Sequence, residues 1–318
     1  MVKKVVVVLL ITVMCFIVPI CVRFFTSGNK VLINVRSGDS ASVTAARLKK
    51  NKLIYSEKLF FCLVKLTKAQ NKLKAGVYSF SKKDGMFKIL RSLKNGSENL
   101  LRFTVPEGKN INQTAEIISR TINIDKEKFV KIAANRNMEG YLMPETYFVD
   151  PRISERRLVE MMYSEFNKKI TPDMYKRAKE INVSFKDVVI IASIVEKEAV
   201  KQEERAIIAA VFYNRLKDNT KLQSCATVLY AMGINKAKLS SEDTKFDSPY
   251  NTYKHLGLPP GPICSPGIES IKAALYPADT KNMFFVSAGN GSHLFASDSY
   301  GHKKNRQIIS KKRNQRKA

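Results

Sequence analysis

The rhythm of apolar and polar positions changes several times along the chain. Residues 5–22 run for 18 positions without a charge, after Lys3 and Lys4 and before Arg23. About 17–25 apolar residues cross a bilayer as a helix. A cleavable signal has a shorter apolar stretch and a small-residue cleavage site, which Arg23-Phe24-Phe25 does not supply. The run predicts an uncleaved single transmembrane helix, with the paired lysines holding a four-residue stub in the cytoplasm. After a polar linker over 23–30, residues 31–35 alternate as a short strand and Ser37-Gly38-Asp39 turns the chain. Helical periodicity follows over 43–50 and 57–66, and Gly76-Val77-Tyr78-Ser79-Phe80 reads as a returning strand. Another strand is predicted over 101–105, turned by Pro106-Glu107-Gly108, then a helix over 112–119. From about residue 150 the pattern is mainly helical.

The strand–helix–helix–strand order over 31–98 resembles a LysM-like module, a small α/β fold often used on glycans. The fold class expected is therefore α+β: an N-terminal transmembrane helix, the LysM-like module, and a mixed, mainly helical catalytic domain. The boundaries are a stub at 1–4, the span at 5–22, the linker at 23–30 and the module at 31–98. A connecting region follows at 99–150, then the catalytic domain at 151–302 and a basic tail at 303–318.

Composition narrows the class. The chain has 318 residues and is 44% hydrophobic, ample for a core. Its 55 Lys+Arg exceed 28 Asp+Glu, and 55 − 28 gives a net charge of +27. Such a charge suits nucleic acid in the cytoplasm, but no nucleic-acid motif is present and nucleic acid is not expected as a partner. For an exported domain the anionic partners are wall polymers or lipid headgroups. Part of the excess is local, because residues 303–318 hold eight Lys/Arg and no acid and read as a solvated, poorly ordered tail. Beyond Cys15 and Cys21 in the apolar run, Cys62, Cys225 and Cys264 are too few and too scattered for a disulfide framework.

Candidate chemistry centres on one helix. Ser184 with Asp187 three residues on looks like a capping box. Turning about 100° per residue, Val188, Ile191, Ala192, Val195 and Ala199 form the centre of one face. Glu196 and Glu198 then fall about 80° to either side of that stripe. A carboxyl on such a shoulder is partly desolvated, which raises its pKa and suits a general acid near neutrality. An ordinary amphipathic helix with border glutamates would look the same, and pattern does not choose between the two. Residues 257–267 hold three of the 14 Gly and four of the 11 Pro, a rigid loop suited to a cleft wall. Glu139-Gly140-Tyr141-Leu142-Met143-Pro144-Glu145-Thr146-Tyr147 is a second turn with aromatics.

These segments resemble the endolytic murein transglycosylases, the MltG or YceG-like family. The resemblance rests on Ile191-Ala192-Ser193-Ile194-Val195-Glu196-Lys197-Glu198, on 139–147, on Val211-Phe212-Tyr213-Asn214-Arg215-Leu216, and on Asn251-Thr252-Tyr253 with 257–267. It runs in order from about residue 31 to 305. It implies a lyase that cuts nascent glycan strands between MurNAc and GlcNAc, leaves 1,6-anhydroMurNAc ends and needs no cofactor. It places the catalytic role on the first Glu of Glu-Lys-Glu, Glu196, and sugar-lining groups at Gln223, Asn251 and Tyr253. Tyr141 and Glu145 join them as substrate-binding candidates. With no Trp in the chain, sugar stacking falls to Tyr141, Tyr147 or Tyr253. The chain departs from the family after Leu222-Gln223, where Ser224-Cys225-Ala226-Thr227 replaces the common Thr-Asp-Pro-Thr.

The resemblance also implies a single-pass protein of the bacterial cell membrane, catalytic domain outside, working on glycan strands beside peptidoglycan synthases. Two other readings use the same residues: a hydrolytic muramidase with Glu198 or Asp247 activating water, and a non-catalytic wall-binding scaffold. Metal chemistry finds no support, since His255, His293 and His302 lack ligand spacing. His293 reads as a structural histidine or one lining the site.

Overall fold

The computed structural model describes residues 30–36, 38–96, 100–236 and 239–315. The expected stub and membrane span, with the linker up to residue 29, lie outside the described residues. Among the described residues no helix is long and apolar enough to cross a membrane. The fold is α+β, with helices dominating three two-stranded sheets. The described residues divide into two compact units, those up to 101 with 149–151, and 102–148 with those from 152 on. Residues 102–148, expected as a connecting region, thus fall in the second unit.

In the first unit β1 (Lys30–Val35) pairs antiparallel with β2 (Gly76–Ser81), Ile33 opposite Tyr78 and Val31 opposite Phe80. Strand periodicity sends Ile33, Val35, Tyr78 and Phe80 inward and leaves Leu32 exposed. Between the strands run α1 (Ala41–Lys50) and α2 (Glu57–Leu66). Ser40 and Ser56 cap them by accepting from the N–H groups of Val43 and Leu59. A further helix, α3 (Met86–Asn95), completes the core with Ile89, Leu90 and Leu93. The strand–helix–helix–strand order is the one read from the sequence; α3 is an addition to it.

The second unit opens on β3 (Leu101–Thr104), α4 (Ile111–Ser119), α5 (Lys126–Asn135) and β4 (Thr146–Val149), with β3 paired to β4. Then come α6 (Glu155–Lys169), α7 (Pro172–Glu180), α8 (Phe185–Glu198), α9 (Arg205–Lys217), α10 (Cys225–Met232) and α11 (Ile268–Leu275). A hairpin of β5 (Phe284–Ser287) and β6 (His293–Ala296) leads into α12 (Ser299–Gln315). The segment expected as a poorly ordered basic tail is therefore mostly helix, and Ile309 is buried. One apolar side chain per few turns suffices to dock a helix whose other faces are charged.

Helix α8 is the axis of this unit. Every residue from Val188 to Val195 is buried, so the amphipathic stripe read from the sequence is really a helix enclosed on all sides. It packs on α11, α9, α7 and α10. Ser184 caps it by accepting from the Asp187 N–H at 3.1 Å, but Asp187 bonds the Ser184 hydroxyl rather than closing a reciprocal box. Ser193 staples the glycine–proline loop to the helix, accepting from the Ile263 N–H at 3.0 Å. Gly140 makes the tightest approach to the loop: it has φ +85°, and a Cβ there would lie 2.5 Å from the Pro262 Cβ. Gly140→Ala combines a left-handed backbone with overpacking, for an expected loss of about 2–4 kcal/mol. Chemical denaturation should show a lower midpoint with an unchanged slope.

Candidate active site

The two glutamates at the end of α8 have different surroundings. Glu196 ends in a clamp: its Oε2 accepts from the Gly267 N–H at 3.0 Å and the Ser270 hydroxyl at 2.7 Å. Its Oε1 lies 3.6 Å from Arg205, and its side chain is 7% exposed. Gly267 is the N-cap of α11, whose first N–H groups have no partner within the helix. A carboxylate there neutralises the helix terminus and fixes α11 against α8. Arg205 also approaches Glu107 at 3.9 Å. Burial raises the Glu107 carboxyl, and the neighbouring Glu196 charge adds to that.

Glu198 has fewer partners. Its Oε1 accepts from the Ser224 hydroxyl at 2.6 Å, and the Ala226 N–H also favours its anion. Burial outweighs both and raises its carboxyl pKa above the ordinary range. Ser224 is held in place in turn, its N–H donating to Thr252 Oγ1 at 3.0 Å and its carbonyl accepting from Thr227 at 2.9 Å. The Cys225 thiol sits 3.1 Å from the Tyr253 hydroxyl. Burial raises both of these groups, and the Glu198 charge pushes each further up. The imidazole of His293 acts the other way on Glu198, favouring its anion. His293 is fixed by Glu204, which takes its Nδ1 at 2.7 Å and its N–H at 3.0 Å.

A protonatable, buried carboxyl thus lies among a tyrosine, a thiol, a serine and an imidazole, on a scaffold of buried threonines. The last turn of α8 offers two sheltered carboxyls, and a carboxyl so placed can deliver a proton to a leaving oxygen and take one back. No group of three or more His, Cys, Asp or Glu among the described residues could hold a metal ion.

A family model described as YceG-like matches residues 33–308. The chain belongs to the YceG-like family. An endolytic murein transglycosylase of Bacillus subtilis (strain 168) is 35% identical over 91% of this chain and 88% of its own length. A protein of the same name from Streptococcus pneumoniae serotype 2 is 29% identical over 88% of this chain and 58% of its own length. The crystal structure of a yceG-like protein from Listeria monocytogenes superposes with a TM-score of 0.59 at 29% identity, covering 87% of this chain and 99% of that one.

The residues read from the sequence separate into several groups. Gln223 and Tyr253 belong to the cluster around Glu198. The Gln223 N–H donates to the Thr252 carbonyl at 3.1 Å, its φ is +51°, and its side chain is exposed. Asn251 lies behind them, inside the protein. Its side chain is wholly buried, donating to the carbonyls of Thr244 and Phe246 at 3.0 and 2.7 Å and accepting from the Tyr253 N–H at 3.0 Å. It shapes the turn that presents Tyr253.

Tyr141 packs edge-on against Phe166, 5.2 Å between centroids, and lines a different cavity. Glu145 is a surface residue, 3.4 Å from Lys169. Tyr147 is core, stacked on Phe103 with its hydroxyl on the Met143 carbonyl. Asp247, the alternative second carboxylate, is exposed and paired with Lys254. Cys225 and Cys264 are both free.

The motif at 211–216 turns out to be structural. Tyr213 donates to the Ala274 carbonyl, Asn214 to those of Thr280 and Asn282, and Arg215 to those of Met283 and Leu222. Sequence reasoning missed Ser224, Thr252 and Glu204. Nothing in their spacing marks them, because their partners lie 26, 28 and 89 residues away.

Proposed function

We propose that this protein cuts inside peptidoglycan glycan strands by lytic transglycosylation, with Glu196 as the proton-shuttling carboxyl. The observation that carries the assignment is the Glu196 side chain, 7% exposed at the end of α8 in the segment the family resemblance marks, with Arg205 at 3.6 Å and the Glu107 carboxyl, raised by burial, beside it. Hydrolytic glycosidases use two carboxylates; a lytic enzyme can work with one. The 6-hydroxyl of N-acetylmuramic acid attacks its own anomeric carbon, so the nucleophile arrives with the substrate. Glu196 gives a proton to the departing glycosidic oxygen. The resulting carboxylate then removes the proton of the attacking hydroxyl, and a 1,6-anhydro end results. Holding both ends of the reaction in one sugar removes much of the entropic barrier.

Glu196 is oriented by the Gly267 N–H and the Ser270 hydroxyl, and its anionic state gains from Arg205 at 3.6 Å. Glu198, raised by burial, holds the Ser224 turn behind Tyr253. Gln223 and Tyr253 line the sugar path, and Asn251 acts behind them. The residues over 5–22 anchor the chain in the cell membrane, and the domain lies outside it, beside the synthases that supply new strands. The LysM-like first unit binds glycan.

The test of the reaction is incubation of the full chain with uncrosslinked glycan strands, followed by mass spectrometry of the new ends. Muramic ends one water lighter than a reducing sugar are expected; uncut strands would refute the reading. A reporter fused to the carboxyl terminus should be active only outside the cytoplasm.

Cys225 stands where the family commonly has Asp, and this gives a further expected result. Cys225→Asp places a second negative charge beside Glu198, which disfavours its anion and raises its pKa. Because Glu198 supports the site and Glu196 does the proton transfer, the alkaline limb of the pH–rate profile should stay put. A limb moved to higher pH would mean that the working acid is the one residue 225 senses.

A further inference from the structure

Helix α2 of the first unit is apolar on more faces than it buries. Seven of its ten residues are Leu, Phe, Cys or Val, yet only Phe60 and Val64 are buried. A helix apolar all round is ordinarily enclosed, as α8 is. Turning about 100° per residue, Leu59, Cys62, Leu63 and Leu66 form a stripe two turns long, about 130° round the helix from Phe60 and Val64. Leu59 is 58% and Leu66 83% exposed, Cys62 is exposed and Leu63 half-buried. Single exposed leucines are ordinary on a protein surface, but an aligned set marks a contact. Lys58 and Lys65 flank the stripe on its far border and Lys68 follows just past the helix end, all three exposed.

Charge and tether point to what lies against this face. Residues 30–101 hold 16 Lys+Arg and 4 Asp+Glu, and 16 − 4 gives +12. Close to half of the chain's +27 sits in under a quarter of its length. The uncharged run ends at Val22 and β1 starts at Lys30, so at most about 29 Å of extended chain separates them. A compact unit of roughly 70 residues is about as wide, with a radius of gyration of about 11 Å. With residues 5–22 in the bilayer, the unit stays beside the lipid surface and contact with it is intramolecular. Leucines bordered by lysines are what an interfacial helix offers to anionic headgroups. A neutral protein surface would leave the charge unmatched.

We propose that α2 lies on the outer face of the membrane, with Leu59, Leu63 and Leu66 in the headgroup region and Lys58, Lys65 and Lys68 on the phosphates of anionic lipids. The contact holds the first unit down on the leaflet and leaves its other faces for glycan. It rests on the membrane anchor assigned above to residues 5–22.

The chain has no Trp, so Leu66→Trp in the full chain is a single reporter on the stripe. The variant is placed in nanodiscs of phosphatidylglycerol or phosphatidylcholine, with and without bromine on the acyl chains. In phosphatidylglycerol its emission should shift to the blue and be quenched by the brominated chains. Phosphatidylcholine, or Lys58→Glu with Lys65→Glu, should weaken the contact about tenfold or more and release the reporter. Both lysines are exposed, so the reversal leaves the core untouched. Absence of bromine quenching in phosphatidylglycerol would overturn the proposal, and a blue shift without quenching would put a second copy of the chain on the stripe instead. Quenching that survives charge reversal would overturn the role given to anionic headgroups. Co-elution of the chain with the discs is scored separately. A chain that elutes with the discs unquenched removes this inference alone; one that elutes free removes the membrane anchor, and this inference with it.

Discussion

Glutamine at position 196 is expected to stop strand cutting while leaving the fold intact. A positioned acid–base contributes on the order of 10²–10⁴ in rate, and here one group serves both the protonation and the deprotonation. The amide oxygen still accepts from the Gly267 N–H and the Ser270 hydroxyl, but the group cannot give up a proton. Removing the charge beside Arg205 should cost about 1–3 kcal/mol. Glu196→Ala goes further, stripping both donors of their acceptor and leaving Arg205, only 14% exposed, without its nearest buried partner. Breaking a buried pair from one side costs about 3–5 kcal/mol; some water access at Arg205 brings the expectation to about 2–4 kcal/mol. For a unit of this size that lowers the melting temperature by roughly 5–12 °C. Anhydro-end formation against time, with thermal unfolding, checks both; a Glu196→Gln variant that cuts at the parent rate would remove Glu196 from the chemistry.

The corresponding change at Glu198 should have a different character. Burial raises its carboxyl, so the contribution of Glu198 to stability is complete below its unfolded pKa and is lost as pH rises through the folded one. Glu198→Gln keeps the Ser224 hydroxyl as a partner and removes that alkaline loss. It should therefore be no less stable than the parent at neutral pH and less sensitive to alkali. Its cutting should fall by less than the factor on the order of 10²–10⁴ that a lost acid–base costs. Thermal unfolding at several pH values, with the cutting assay beside it, decides the matter. Lost cutting in Glu198→Gln with Glu196→Gln still active would move the acid to Glu198.

The elements were largely legible because each carries its own period. The alternation of 31–35 and the returning strand at 76–80 appear as β1 and β2, and the cap at Ser184 stands where its helix begins. Helix α8 was found but its environment was misjudged. Periodicity assumes one buried face, whereas Val189, Ile190 and Ile194 on the other faces are buried too. That is why the helix angles could not rank Glu196 against Glu198: each points into protein, and what differs is the partner. One meets the N-terminus of α11, the other the N-cap serine of α10. These contacts span 26 to 74 residues of chain, and local pattern carries no record of them. Asn251 shows the same limit. Its motif marks it as important, but only its three hydrogen bonds reveal that its role is to hold the turn.

The account depends most on the substrate supplying its own attacking oxygen to a site with a single working carboxyl. Digesting uncrosslinked glycan strands with the full chain in water enriched in heavy oxygen puts that to the test directly. New muramic ends of the anhydro type, carrying no label, are the expected result. Reducing ends carrying one heavy oxygen each would show that water is the nucleophile, and would contradict it.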